Sequence, residues 1–307
     1  MGDNLQLLGI TAIPRLARKY GIKVEFPAPR DLYGLTPEGF GKVIEDAGRI
    51  LNVFFELKAS WQDVYRASDI GMERTALAEE MRLHNRDVVL DVGCGRGYFT
   101  IAAANLSERV VGLDLMNGYG RHGWWENFAT CMDEVGLSDR VMGVRTDVRC
   151  LPFRESSFDA TVAVHSIRNF QDRAAIQTAI GEMKRVVVEG GSVIIAESLP
   201  VARNRTQEAH LQMFECKVRY TTGELRYLKR DELVGMFESV GFKEIEASEL
   251  DHNLSTAPPL FCIDCHLSPT LTEREGEEAR EAYRKAISMI RKYGEASPPT
   301  MLVKAIK

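Results

Sequence analysis

The stretch Val88-Val89-Leu90-Asp91-Val92-Gly93-Cys94-Gly95-Arg96-Gly97-Tyr98-Phe99-Thr100 decides the fold. A short apolar run passes into glycines at alternating positions. It continues into Phe99-Thr100-Ile101-Ala102-Ala103-Ala104, a segment that favours helix. The pattern reads as a buried strand, a tight turn and the N-terminus of a helix. Gly93, Gly95 and Gly97 allow positive φ and let a ligand approach the main chain without a Cβ in the way. The helix beyond them opens with N–H groups that lack intrahelical partners.

Two carboxylates qualify this turn. Asp91 stands where a phosphate-binding loop would not place a negative charge, and it suits a cationic or hydroxyl-bearing ligand. A second apolar run, Val110-Val111-Gly112-Leu113-Asp114-Leu115, ends in an acid. An acid at the end of the next strand commonly bonds the ribose hydroxyls of an adenosine ligand. The spacing is G-x-G-x-G rather than G-x-G-x-x-G, which disfavours NAD or FAD.

The remaining composition is that of an ordinary soluble globular protein, with 307 residues, 45% hydrophobic and 27% charged. That length is ample for a sizeable core. A formal charge of −5 speaks against a nucleic-acid partner, which needs Lys and Arg in excess on one face. No apolar stretch approaches the ~20 residues of a membrane span. Met1-Gly2-Asp3-Asn4 does not read as a basic leader. Six scattered cysteines suggest a reducing compartment, so a cytoplasmic location is expected.

From Asp87 onward strands and helices alternate, which implies an α/β fold with a parallel sheet and crossover helices. Strands are expected at Val88–Val92, Arg109–Asp114, Val141–Thr146, Phe158–Val164, Ser192–Glu197 after a Gly190-Gly191 turn, Phe242–Ala247 and Thr300–Ile306. Helices are expected at about Phe99–Asn105, Trp125–Val135, Arg173–Val187 and Arg230–Val240. Residues 1–85 read as a helical N-terminal cap, with an N-capped start at Thr36-Pro37 and a last helix over Met72–Leu83. Residues 86–307 form the remaining domain. Within it, 252–298 is an insertion whose charged helix runs from about Thr272 to Tyr293. That insertion is expected to cover an acceptor pocket or join a homodimer contact.

Val88–Gly97 with Asp114 resembles the S-adenosylmethionine (SAM) site of class I methyltransferases, whose first motif reads like VLDVGCGRG. The resemblance implies a Rossmann-like seven-stranded sheet, its last strand antiparallel beside the sixth, with helices on both faces. It implies a cofactor site of Asp91, Gly93, Cys94, Gly95, Asp114, Leu115, Asp147, Val148 and His165. In it Asp147 receives the adenine amino group and the next main-chain N–H meets a ring nitrogen. Met116 and Asn117 would flank the adenine. His165, after the fourth strand, would remove the acceptor proton or pack against the methionine moiety. His122, Trp61, Tyr65 and the Trp124-Trp125 pair are further candidates for the pocket, and the aromatic ones read more simply as core.

Asp147-Val148-Arg149-Cys150-Leu151-Pro152-Phe153 followed by Ser156-Ser157-Phe158-Asp159 resembles the small-molecule branch of class I methyltransferases, and Ile167-Arg168-Asn169-Phe170, Glu197-Ser198-Leu199-Pro200 and Gly223-Glu224-Leu225-Arg226 resemble its ubiquinone/menaquinone-biosynthesis C-methyltransferases, a type 11 family. This implies that Arg168 and Asn169 border the acceptor, with Tyr220 and Arg226 as further candidates. His165 departs from that family, which usually has an aromatic residue there. Cys262-Ile263-Asp264-Cys265-His266 matches a haem c attachment pattern, but no export signal or fourth metal ligand accompanies it, and no metal is expected. The expected function is methyl transfer from SAM, leaving S-adenosylhomocysteine (SAH), to a small apolar or aromatic acceptor. A lipid acceptor would bring the chain to a membrane surface. The alternatives are a protein or tRNA methyltransferase, or a SAM-binding regulatory protein without turnover.

Overall fold

The computed structural model describes residues 69–95, 97–115, 128–129, 132–133, 135–170, 172–217, 227–252, 276–294 and 296–307. Among them, the α-helices are α1 (Asp69–Glu80), α2 (Tyr98–Leu106), α3 (Arg173–Val186), α4 (Arg205–Lys217), α5 (Arg230–Ser239) and α6 (Gly276–Tyr293). The strands are β1 (Val88–Val92), β2 (Arg109–Asp114), β3 (Val141–Arg145), β4 (Phe158–Val164), β5 (Val187–Ser198), β6 (Ile245–Leu250) and β7 (Thr300–Ile306). No helix among the described residues is long and apolar enough to cross a membrane.

The seven strands form one sheet in the order β3-β2-β1-β4-β5-β7-β6. Neighbours from β3 to β5 run parallel, and β7 lies antiparallel to both β5 and β6. Strands β1, β2 and β4 are buried along most of their length, as parallel strands covered on both faces are, whereas the edge strand β3 leaves Met142 exposed. Leu90, Val162, Ile195 and Val303 are fully buried. Helix α3 begins at Asp172, whose carboxylate accepts the N–H of Ala175 at 2.7 Å. It buries Ile176, Ala179, Ile180 and Met183 at helical spacing.

The described residues fall into two compact units. The sheet unit lies within Arg74–Pro200, Glu224–Asp251 and Pro299–Lys307. The other includes α4 and α6, which pack through Ala209 and Met213 against Tyr283, Ala286 and Ile290. The charged helix expected in the insertion is thus present as α6. Helix α4 has no counterpart in the sequence reading.

Three boundaries are corrected. Gly190-Gly191 is not a turn before the fifth strand, because β5 already starts at Val187 and runs through both glycines. Gly190 takes φ +80° there, and the register with β4 shifts between Phe158 and Ala160. The sixth strand lies at Ile245–Leu250, later than expected, set by its pairing with β7. Helix α1 begins and ends earlier than Met72–Leu83.

Candidate active site

Strand β1 sits between β2 and β4, so the chain leaves β1 and β4 toward opposite sides of the sheet. In an open α/β sheet ligands bind in the crevice beyond the carboxyl ends at such a switch point. The turn Gly93–Gly97 follows β1. Gly93 and Gly97 have φ +72° and +85°, the left-handed region that glycine tolerates. Several of the turn's amides are satisfied within the chain: Gly93 and Cys94 both donate to Leu113 O, at 2.7 and 3.0 Å, and Gly97 donates to Cys94 O at 2.8 Å. Gly95 N–H donates to Asp114 Oδ2 at 2.9 Å. A phosphate cradle needs those groups turned outward.

Asp91 is 1% exposed. The hydroxyl it holds belongs to the chain itself, since Thr100 Oγ1 donates to Asp91 Oδ2 at 2.6 Å. Burial pushes this carboxyl up to about 7, with Thr100 and Arg74 opposing and Asp114 assisting. Cys94 is buried as well, and its thiol is pushed well above its usual value, so it is packed rather than reactive.

Asp114 ends β2 half-buried, and Leu115 beyond it is an exposed apolar side chain. Arg145 Nε donates to Leu115 O at 3.0 Å, tying this corner to β3. Asp147 accepts the N–H of Arg149 at 2.9 Å and pairs with its guanidinium at 2.5 Å. Those hydrogen bonds hold its carboxyl below the usual range. Helix α3 steadies the segment that follows, where Val148 is buried. Glu182 accepts the N–H of Leu151 at 2.8 Å, and Arg185 donates to the carbonyls of Phe153 and Leu151 at 2.9 and 3.1 Å.

Beyond β4, His165 continues the ladder by donating its N–H to Ala196 O at 2.8 Å. The chain then turns with His165 at φ +49°, a left-handed conformation that costs a non-glycine residue about 1–3 kcal/mol. Its side chain is 9% exposed. Burial holds the imidazole well below its usual range, Arg74 and Arg168 push the same way, and Glu197 opposes them. Ser166 Oγ donates to Val92 O at 2.9 Å, which ties this turn to the end of β1. Arg168 and Asn169 lie in the following short helical turn, Arg168 half-buried and Asn169 exposed.

The geometry therefore brings Gly93 and Gly95 together with Asp114, and His165 together with Arg168. Asp147 and Val148 stand two strands away from β1, at the end of β3. The sequence reading gave no role to Glu197, Ser198 or Arg74, all of which act on His165. The signal for Glu197 was available: like Asp114, it is an acid at the carboxyl end of an apolar strand. Arg96, Met116, Asn117, His122, Trp124, Trp125, Tyr220, Arg226, Cys262, Cys265, His266, Trp61 and Tyr65 lie outside the described residues, as does most of the expected cap.

Residues 90–195 match the family described as a methyltransferase domain. The chain is 25% identical to a ubiquinone/menaquinone-biosynthesis C-methyltransferase from Geobacter sp. (strain M21), over 69% of this chain and 95% of that protein. It is 29% identical to a sterol 4-C-methyltransferase from Caenorhabditis elegans, over 39% of this chain and only 33% of that protein. Among solved structures, a cyclopropane-fatty-acyl-phospholipid synthase-like protein from Lactobacillus casei shares the fold. Its TM-score is 0.63 at 19% identity, over 80% of this chain and 93% of that one.

Proposed function

We propose that this class I methyltransferase transfers the methyl group of SAM to a small, apolar or aromatic acceptor. The observation that carries the reading is the Gly93–Gly97 turn, with several of its amides satisfied within the chain and Gly95 anchored on the Asp114 carboxylate. Such a turn offers close backbone approach without phosphate selectivity. That fits an adenosine ligand with a cationic sulfonium better than a dinucleotide.

In this reading Asp114 takes the ribose hydroxyls, and Leu115, Asp147 and Val148 border the adenine. Gly93, Cys94 and Gly95 line the methionine moiety, and Asp91 sets the field beneath it. When bound, SAM supplies an electrophilic methyl group on sulfur. The chain's own tasks are to align the acceptor, exclude water and take a proton where the acceptor carries one. His165 takes that proton, and Arg168 and Asn169 orient the acceptor. The relatives' names, a sterol and a quinone C-methyltransferase, support an acceptor of the same apolar, ring-bearing kind.

The test is methyl-labelled SAM incubated with the chain and a cell extract, followed by separation into solvent-soluble, protein and RNA fractions. Label in the solvent-soluble fraction supports the reading. Label confined to protein or RNA overturns the small-acceptor assignment. Tight SAH binding without label in any fraction favours a regulatory SAM-binding role instead.

A further inference from the structure

Glu197 stands one residue before the end of β5, with its side chain 2% exposed. Oε1 accepts the backbone N–H of Arg168 at 3.3 Å. Oε2 is buried without a hydrogen-bond partner. It lies 3.9 Å from His165 Nδ1 and 3.9 Å from Arg168 Nη1. The next residue bridges the same two groups: Ser198 Oγ lies 3.2 Å from His165 Nδ1 and accepts from Arg168 Nη1 at 3.4 Å. A buried carboxylate oxygen without a hydrogen bond is costly. A costly group beside a strained histidine at a sheet's ligand-binding edge points to function rather than packing.

A guanidinium N–H only donates, and an ionised carboxylate only accepts. His165 Nδ1 faces two oxygen atoms, the Ser198 hydroxyl, which can donate or accept, and the Glu197 carboxyl, and an acceptor oxygen of Glu197 on that side favours the tautomer with the proton on Nδ1. Nε2 then holds the lone pair. If Nε2 takes a proton, the imidazolium forms in a dry site already facing Arg74 of α1 and Arg168 of the turn after β4. Among the described residues, Glu197 of β5 is the carboxylate that opposes these two cations on the ring.

We propose that Glu197 is the positioning residue of His165: it fixes the Nδ1–H tautomer and offsets the charge that appears when Nε2 accepts a proton. The inference rests on the reading of His165 as the group that takes the acceptor proton. The proton leaves the acceptor for Nε2, the acceptor's freed electron pair forms the new bond to the methyl carbon, and the carbon–sulfur pair stays on sulfur. Charge is conserved, because the sulfonium's positive charge ends as imidazolium. Glu197 neither donates nor receives an atom.

The experiment is nitrogen NMR of histidine-labelled full-length chain with SAH added, with the His165 signal assigned by its loss in His165→Gln. In the wild type the Nδ1–H form should dominate. In Glu197→Gln its ratio to the Nε2–H form should fall by about ten-fold or more, the usual weight of a charge-assisted contact. Glu197→Asp should restore the wild-type signature, which a merely space-filling glutamate would not require. SAH affinity, measured by calorimetry on each variant, reports the cofactor site separately. An Nε2–H wild type, or a tautomer ratio unmoved in a Glu197→Gln variant that still binds SAH, overturns the inference. Failure of the wild type to bind SAH overturns the methyltransferase reading itself.

Discussion

Gly93 and Ser166 are in direct contact across the sheet's switch point. A Cβ added to Gly93 would lie 2.5 Å from Ser166 Cβ and 2.8 Å from its Oγ. The turn after β1 and the turn after β4 are thus packed with no room for one methyl group, and the residue next to His165 sets the limit on the glycine turn.

Gly93→Ala should therefore destabilise the chain by about 2–4 kcal/mol, from the positive φ together with the overlap. Because Ser166 Cβ is the nearest atom, Ser166→Ala should relieve only the Oγ overlap and leave the closer one. Ser166→Gly should recover the steric part and leave the φ part. Urea midpoints of the two double variants measure this, and equal recovery by Ala and Gly would contradict it.

Asp91 has a pH signature. Its carboxyl is pushed from 3.8 to about 7 in the folded chain, so folding favours the protonated form. Its contribution to stability is fully present below about pH 4 and is lost as pH rises through about 7, a change on the order of 4 kcal/mol. Asp91→Asn does not titrate. The wild type should lose stability relative to that variant between pH 4 and 8 in paired urea titrations. Parallel curves would show that Asp91 is not held protonated by burial.

His165 is held neutral well below its usual range, so the base form is the resting form. Activity should stay level from neutral pH to below pH 6.5 and fall only as the depressed imidazole titrates. His165→Gln should lower kcat by roughly 10²–10⁴ while SAH still binds. A loss under about ten-fold would leave His165 as packing against the cofactor.

The packing of α4 on α6 gives a separate handle. Ala286 is 1% exposed at that contact, and Ala286→Asp buries an unpaired charge there. The α4–α6 unit should become sensitive to limited proteolysis while SAH affinity is unchanged, since every residue assigned to the cofactor lies in the sheet unit. Equal loss of SAH binding would show that the two units depend on one another for folding.

Much of the sheet was legible in the sequence. Strands β1, β2, β4 and β7 are short apolar runs of strand length, rich in β-branched residues, and such runs are consistent with buried strands. Helix α4 was not legible, because Ala209 and Met213 carry its buried face and their partners come from α6, far along the chain. The start of β5 is hidden in the sequence because Gly190-Gly191 signals a turn locally, whereas the pairing with β4 and β7 holds it in the sheet. Candidate-site residues were legible where the motif itself carries them, as at Gly93, Gly95 and Asp114. The cluster around His165 was not, because it is assembled by the adjacency of β4 and β5, which places Glu197 and Ser198 beside a residue 32 or 33 positions away.

The most direct test of the account is calorimetric titration of SAH into the wild type and Asp114→Ala. Asp114 anchors Gly95 N–H at 2.9 Å and is assigned the ribose hydroxyls. Its removal should cost roughly 1.5–3 kcal/mol, a ten- to hundred-fold loss of affinity. Saturable binding of SAH by the wild type, weakened by that factor in the variant, is the predicted result. An unchanged affinity in Asp114→Ala, or a wild type that does not bind SAH, would contradict the assignment.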